Sequence, residues 1–460
     1  MKKTFLTLQI VLVLSAFTAK SQNTWEQITP TGDIPTARQG HSMVTIDSLV
    51  YLFGGMDGSK LYEIDPEINI AVSDNTRLIK IIKTKDATLN GSKSLLNDLS
   101  IYDTVYEKWD EEEPVNTPPP ARFGHKAVVK DGKMYVFFGQ GASDALDDIW
   151  EYDPATKEWT QIVPVSSNNP VARFDHTAIV SGSLVWIAGG LDNNGNPLND
   201  LWYYSFGSNE FTQCNDIPAA NGVYGHVSAC SGSEVYVFGG YQGSEPANTM
   251  YKYTIGSAGT WTTENIQGTL PAPTAYSAAA QYGPELYIAG GETSTGVTGS
   301  TYVWDMLQQQ FTQLPDGPAW AYGAFAFLYS PNEIKQEKET EYAEILFWGG
   351  SSDFVDYNEE TWVYTTDIEI STSINETENN NIKIYPNPAT DYIYINLSNE
   401  LFNTALCSYQ LLDIMGRKVN IGIILKENHL LDISIIPKGI YFLHIHVNGK
   451  LFSIQKIVKQ

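Results

Sequence analysis

The sequence predicts an all-β protein in which six sheets of four strands form a closed ring, followed by a small β-sandwich. Three observations support this fold class. A motif recurs about every 50 residues. The 460 residues include 37 Gly and 27 Tyr, and only 18% are charged, which favours many short strands and tight turns. From residue 382 onward, alternating apolar runs are separated by turn signals.

Composition and charge exclude several classes of protein. The chain carries 28 Lys+Arg against 53 Asp+Glu, a net charge of −25, and nucleic-acid binding needs clustered basic residues. Three cysteines cannot form a disulfide framework, and 42% hydrophobic residues are too many for a disordered chain. Residues 1–21 and residues 382–460 each carry +3, so the intervening residues carry −31.

Residues 1–21 have the features of a secretory signal peptide. Lys2 and Lys3 precede an apolar stretch from Phe5 to Phe17, and Ala19-Lys20-Ser21 fits the small-x-small cleavage rule. The alternative is a membrane anchor, but the apolar run is shorter than the roughly 20 residues that span a bilayer. No later segment is long and apolar enough, so we expect an exported protein without a transmembrane anchor.

The repeated motif is R-x-G-H, an apolar strand ending in Tyr-x-x-Gly-Gly, then Asn-Asp-Leu-x-x-Tyr, then Trp. The first copy contains Arg38, His41, Gly54-Gly55, Asn97-Asp98-Leu99 and Trp109. Four successive anchors lie 51, 50 and 51 residues apart: His125, His176, His226 and Ser277. The double glycine allows neighbouring backbone to come close, and the late aromatic residue is large enough to fill the wedge between sheets.

This period and motif resemble the kelch β-propellers over about residues 22–366. The resemblance implies six blades of four strands each. The sixth repeat ends at Tyr364 without its final Trp strand, while Thr24–Ile28 resembles that strand. We therefore expect the N-terminal strand to complete blade six, because closing the ring removes exposed sheet edges.

Three local irregularities interrupt the repeats. Phe138 stands where the first glycine is expected, which predicts a bulge or a shifted strand end. Ser59 to Leu95 and Asn332 to Tyr342 are insertions, and each is either a functional loop or a tolerated surface excursion.

The C-terminal part begins after a polar linker, residues 367–381. Four segments follow in order: YPNPATD from Tyr385, D-x-x-G-R-K-V from Asp413, P-x-G-x-Y-x-L from Pro437, and an end containing Lys456 and Lys459. Residues 382–460 thereby resemble the type A C-terminal sorting domain of the type IX secretion system of Bacteroidota. The resemblance implies an Ig-like sandwich that engages the secretion machinery, and cargo that is secreted or held at the cell surface.

The kelch resemblance implies that a ligand binds at the rim of the central channel. Arg38, Arg122 and Arg173 begin the R-x-G-H motifs of blades one to three. In blades four to six we place Val223, Ala275 and Ala321 at the arginine position, each followed by a tyrosine: Tyr224, Tyr276 and Tyr322. Guanidinium groups suit carboxylates, and aromatic rings suit sugar faces or peptide side chains. In the alternative, the arginines pair with local carboxylates or carbonyls and bind nothing.

The other chemical motifs are weak. His41, His125, His176 and His226 are equivalent residues of separate blades, so we expect no metal site. Some kelch proteins are copper-radical oxidases, but this chain lacks the required Tyr-His dipeptide. Asp192 to Asn196 has calcium-like spacing but lacks the later bidentate Glu of an EF-hand, so a loop rich in turn residues explains it better. We expect no cofactor.

The sequence favours a non-catalytic binding module for a glycan or a protein. The main alternative is a carbohydrate-active enzyme, similar to the kelch proteins that epimerise sialic acids, working in the channel. A structural surface component with no small ligand is the third possibility.

Overall fold

The computed structural model describes most of the chain. The described residues are 23–58, 94–231, 234–255, 259–264, 266–328, 341–352, 357–368, 382–398, 407–413, 418–424, 428–434, 436–447 and 450–460. The predicted signal peptide, most of the linker and most of both insertions lie outside these residues. All regular structure within them is β-strand.

Residues 23–368 contain, as far as they are described, six antiparallel sheets with four main strands each. Sheet one is formed by Ser42–Ile46, Leu49–Asp57, Leu95–Asp103 and Lys108–Glu112. Sheet two is formed by Lys126–Lys130, Lys133–Gln140, Ala145–Asp153 and Glu158–Ile162. Sheet three is formed by Thr177–Ser181, Leu184–Ala188, Leu201–Ser205 and Glu210–Gln213.

The remaining three sheets repeat this plan. Sheet four is formed by Val227–Ser231, Glu234–Phe238, Met250–Thr254 and Thr260–Thr263. Sheet five is formed by Ala278–Tyr282, Glu285–Ala289, Thr301–Asp305 and Gln310–Leu314. Sheet six is formed by Ala324–Leu328, Glu341–Trp348, Thr361–Ile368 and Thr24–Ile28. Two-residue strands flank the sheets: Thr31–Gly32, Arg38–Gln39, Arg173–Phe174, Leu191–Asp192, Tyr241–Gln242, Glu245–Pro246, Gln267–Gly268, Glu292–Thr293 and Gly296–Val297.

The N-terminal strand is the outer strand of sheet six, as predicted. Glu26 lies opposite Val363 in an antiparallel pairing that extends over the whole of Thr24–Ile28. Trp25 anchors the strand, because its Nε1 donates to Thr301 Oγ1 at 3.2 Å and to the Pro315 carbonyl at 3.1 Å, both outside sheet six. The first and last parts of this region are therefore held together.

Late aromatic residues pack between neighbouring sheets, which confirms the predicted wedge. The Trp109 ring of sheet one is buried, with its centroid 5.7 Å from that of Trp348 in sheet six. The Trp159 ring of sheet two lies 5.0 Å from Phe53 of sheet one. Each such ring is part of the core of two sheets.

The strand end at Phe138 has a register shift, but the shift is not peculiar to sheet two. Phe138 has a φ of +57°, close to the +63° of Gly54, and the pairing of its strand with Ala145–Asp153 shifts register between Leu146 and Ile149. Sheet one, which keeps both motif glycines, has a similar shift between Phe53 and Gly55. Phe138 therefore keeps the backbone conformation of the glycine that it replaces.

Two further sheets form the C-terminal part. One contains Ile382–Tyr385, Tyr392–Leu397 and Asn428–Asp432. The other contains Lys418–Ile423, Cys407–Asp413, Gly439–Val447 and Lys450–Lys459. Buried side chains from both sheets, such as Ile393 and Leu443, belong to one apolar cluster, so the two sheets share a core. Residues 448–449 lie outside the described residues, and the strands on either side of them pair antiparallel.

Candidate functional site

A circle of backbone hydrogen bonds joins the six sheets around a central channel. Six residues, one just before each sheet's first main strand, have a φ between +52° and +64°. The N–H of each donates to the carbonyl of the preceding member at 2.6–3.0 Å, and the first donates to the last. In order these ring residues are Gly40, Gly124, Asp175, Gly225, Tyr276 and Tyr322, and all of them line the channel.

The ring shows that the three tyrosines do not occupy equivalent positions in their repeats, contrary to the prediction. Tyr276 and Tyr322 are ring residues, whereas Tyr224 precedes the ring residue Gly225. Backbone bridges give the same register, because Tyr224 pairs with Tyr241 as Ala275 pairs with Glu292 and Ala321 with Ser351. The residues equivalent to the arginines in sheets four to six are Val223, Thr274 and Trp320. The prediction was off by one in the last two repeats because they lack the Arg, Gly and His that fix the alignment.

The three arginines lie inside the fold instead of facing the channel mouth. Arg38, Arg122 and Arg173 are fully buried. Each forms two hydrogen bonds of 2.6–2.9 Å to one aspartate, and these partners are Asp98, Asp148 and Asp200. Each also donates to a backbone carbonyl at the end of its sheet's second strand: Gly54, Phe138 or Gly189. The expected cationic half of the rim is therefore absent, and the alternative of local pairing describes these contacts.

The sequence contains a signal for this pairing. The aspartates belong to the Asn-Asp-Leu motif, and the residues at their position in sheets four to six are Thr249, Ser300 and Glu360. Arginine and aspartate are thus present together in three repeats and absent together in the other three. Joint variation of two positions indicates spatial contact.

The tyrosines are brought together on one side of the channel. The Tyr276 and Tyr322 rings stack with centroids 3.7 Å apart, and Tyr224 stacks on Tyr241 at 5.2 Å. The Tyr224 and Tyr276 centroids are 6.2 Å apart. Burial raises the pKa of Tyr276 and of Tyr322 well above the ordinary value, so both hydroxyls stay protonated.

Charged residues that were not predicted from the sequence lie on the other side of the channel. Asp175 is 7% exposed and accepts a 3.3 Å hydrogen bond from the Tyr276 hydroxyl. Burial raises the pKa of Asp175 to about 7, although Lys126 and Tyr276 oppose this shift. Burial also lowers the pKa of Lys126. The sequence contains a signal for Asp175, because it replaces the glycine of the R-x-G-H motif in the third repeat.

The four repeated histidines are buried and link neighbouring sheets. Ser42 Oγ of sheet one and His125 Nε2 share a 2.9 Å hydrogen bond, as do Thr177 Oγ1 of sheet three and His226 Nε2. These two hydrogen bonds therefore join one sheet to the next. Burial lowers the pKa of all four imidazoles, so they are neutral at physiological pH.

Neither weak metal motif gathers metal ligands here. Within the described part of the chain, no group of three or more His, Cys, Asp or Glu side chains could hold a metal ion. In the Asp192 loop, Asp192 Oδ1 accepts hydrogen bonds from the backbone N–H of Asn194 and Asn196, each at 2.8 Å. These bonds are those of a turn closed by a side chain.

Comparisons with known proteins agree with the two-part organisation. A family model described as the KLHDC2/KLHL20/DRC7 Kelch-repeats domain matches residues 87–222. A model described as the secretion system C-terminal sorting domain matches residues 383–460. The predicted combination of kelch repeats with a sorting domain is thereby confirmed.

The curated relatives are distant, and some of them are named as kelch domain-containing proteins. Kelch domain-containing protein 3 of Rattus norvegicus is 24% identical over 297 residues, covering 62% of this chain and 68% of the relative. The leucine-zipper-like transcriptional regulator 1 homolog of Drosophila melanogaster is 26% identical over 267 residues, 52% of this chain but 27% of the relative. This chain therefore matches about a quarter of that relative's length. The dynein alpha chain of the flagellar outer arm of Chlamydomonas reinhardtii is 29% identical over 203 residues, 4% of its length.

The chain therefore combines a region that matches kelch repeats with a C-terminal region that matches a secretion sorting domain. In the described residues, no helix has the length and apolarity needed to cross a membrane.

Proposed function

We propose that residues 22–366 form a closed six-bladed kelch propeller, joined by residues 367–381 to an Ig-like sorting sandwich at 382–460. The six four-stranded sheets and the unbroken circle of ring hydrogen bonds support the propeller. The shared core of the two C-terminal sheets supports the sandwich. Residues 1–21 act as a signal peptide, and the sorting domain engages the type IX secretion machinery, so the propeller is secreted or displayed at the cell surface.

The propeller acts there as a non-catalytic binding module for a glycan or a protein. The observation that carries this proposal is the backbone of Tyr276 and Tyr322, with φ values of +55° and +61°. Gly40, Gly124 and Gly225 fill equivalent ring positions without strain. A non-glycine residue in this region costs roughly 1–2 kcal/mol, and such strain is concentrated at functional sites.

Among the candidate residues, the tyrosines carry recognition. Tyr276 is partly exposed and presents its ring edge to sugars or peptide side chains, while Tyr224 and Tyr322, each 6% exposed, pack against it and hold it in place. Arg38, Arg122 and Arg173 act indirectly, because they fix the ends of the second strands in sheets one to three.

A glycan array and a surface-protein pull-down test this proposal with the mature full-length chain. The double variant Tyr276→Gly, Tyr322→Gly relieves the backbone strain but removes two stacked rings, so its stability should fall by a few kcal/mol, and a thermal melt first establishes that it is folded. We expect it to lose binding at least tenfold. Tyr106→Ala is the matched control, because Tyr106 is 76% exposed and distant in the motif. Undiminished binding by the double variant would overturn the proposal.

A second candidate is a carbohydrate-active enzyme working in the channel. The observation that favours it is Asp175, whose pKa of about 7 suits a general acid or base, close enough to Lys126 for their charges to interact. Turnover of an acidic sugar that is abolished by Asp175→Asn would support the enzyme. Binding without turnover supports the module.

A further inference from the structure

The junction between sheets five and six carries contacts that hold the closing strand in place. The N-terminal strand pairs within sheet six, but its Trp25 donates to Thr301 of sheet five and to the Pro315 carbonyl just after that sheet. The Tyr287 hydroxyl of sheet five and Thr366 Oγ1 of sheet six share a 3.3 Å hydrogen bond. A change that weakens this junction therefore also loosens the closure of the ring.

Glu285 places a carboxyl group at this junction. It begins the second main strand of sheet five, two residues before Tyr287, so both side chains project from the same face of the strand. The Tyr287 hydroxyl donates to Glu285 Oε2 at 2.7 Å, which extends the contact with Thr366 into a chain of three side chains. Because Glu285 is partly buried, its negative charge is unfavourable unless a cation compensates it.

Sheets two and four have a lysine at the equivalent place. The equivalent residues are recognised because each stands two positions before the tyrosine of its strand. In sheet two the residue equivalent to Glu285 is Lys133, which pairs with Asp153 at 3.0 Å. In sheet four it is Glu234, which lies 3.4 Å from the Lys252 ammonium. Among the residues that the structure describes, Glu285 has no such cation.

The titratable side chains described around Glu285 are acids. Within sheet five it is directly opposite Asp305 on one neighbouring strand and Tyr282 on the other, and like charges in opposite positions repel. From sheet six, the Tyr364 ring approaches that of Tyr287, with centroids 6.5 Å apart. Burial raises the pKa of Glu285 to about 7, the hydrogen bond from Tyr287 opposes this shift, and Asp305 adds to it.

We propose that ionisation of Glu285 loosens the junction of sheets five and six, so that the ring is closed most firmly in mildly acidic surroundings. The protonated carboxyl is neutral beside Asp305, whereas the ionised one is a partly buried anion next to another anion. Closure is strongest below the ordinary pKa of 4.5, weakens as the pH rises to about 7, and is constant above that, because only the closed form retains the proton. This inference concerns the closure and does not depend on which ligand the tyrosines bind.

Hydrogen exchange of the mature chain at about pH 5 and about pH 8 tests the proposal, with each rate corrected for the intrinsic pH dependence of amide exchange. The opening equilibrium of the paired amides in Thr361–Ile368 should rise at least tenfold between these conditions, and that of Leu201–Ser205 in sheet three should rise less. In Glu285→Gln the rise in sheet six should fall to that of sheet three, after a thermal melt has established that the variant is folded. Both proteins retain Asp175, so its titration cancels in the comparison.

Two more variants keep the proposal falsifiable. Glu285→Lys gives sheet five the lysine that sheet two has, opposite Asp305, and should keep sheet six closed at about pH 8. Glu234→Gln is the matched control, because Glu234 also accepts from the tyrosine two residues on but has Lys252 beside it; this variant should show the native rise. The proposal is overturned by an equal rise in Glu285→Gln, by a rise of the same size in sheet three of the native chain, or by Glu285→Lys opening as readily as the native chain at about pH 8.

Discussion

Replacing Arg122 with alanine should destabilise the propeller strongly. Arg122 is fully buried and donates to both carboxylate oxygens of Asp148, at 2.6 and 2.9 Å, and to the Phe138 and Pro120 carbonyls. The Asp148 side chain is only 13% exposed. Removing one partner of a buried ion pair leaves the other charge unpaired and costs about 3–5 kcal/mol. We expect the free energy of unfolding to fall by about that amount.

Scanning calorimetry of the mature chain measures this effect, with the propeller transition separated from that of the sorting domain. Lys108→Ala is the matched control, because Lys108 and Asp110 are 44% and 49% exposed in their pair and exposed pairs contribute about 0–1 kcal/mol. The double variant Arg122→Ala, Asp148→Ala should lose less than the two single variants together, since it leaves no charge unpaired. If Arg122→Ala melted like the native chain and instead lost a ligand, the assignment of Arg122 to internal support would be refuted.

Three further predictions follow from the same contacts. Deleting residues 22–30 removes the outer strand of sheet six with Trp25, so the cooperative melting transition of the propeller should disappear; an unchanged melt would contradict the closure. Because the folded-state pKa of Asp175 is raised from 3.8 to about 7, the native carboxyl keeps a proton that the unfolded chain loses in this range. Relative to Asp175→Asn, the native protein should therefore lose up to ~4 kcal/mol of stability between pH 4 and 7, and no more above pH 7. Paired thermal melts of the two proteins measure this difference in stability. A native protein that instead gains stability relative to the variant as the pH rises would contradict the prediction. The comparison with the variant matters because the buried histidines, with lowered pKa values, lower the stability of both proteins in acid. Finally, ending the chain after Asn381 should leave the propeller in the periplasm, and cell fractionation that finds it outside would argue against the sorting role of 382–460.

The closing strand could be predicted because it depends only on repeat counting. The sixth repeat lacks a Trp strand at one end, and Thr24–Ile28 supplies it at the other, where it pairs with Thr361–Thr365. The register shift in the strand of Phe138 was expected from the missing glycine, but sheet one has a similar shift with both glycines in place, so the substitution does not account for it.

The roles of the arginines could not be read from one repeat alone. Arg38 and Asp98 are 60 residues apart in sequence and meet only because sheet pairing brings the strand ends together. The tyrosine register failed for a related reason. Backbone hydrogen bonds define the ring position, and Tyr276 has no neighbouring motif residue that marks it in the sequence. Lys126 and Asp175 were not predicted because neither belongs to the motif that the repeats share. Each is visible in the sequence only as a residue at which one repeat departs from the others.

Hydrogen exchange in the N-terminal strand tests the closed ring most directly. The account predicts that, in the mature chain, the paired amides within Thr24–Ile28 exchange as slowly as those of their partner strand Thr361–Ile368. Exchange of this segment at the rate of an unstructured peptide, while the amides of the other sheets stay protected, would contradict it.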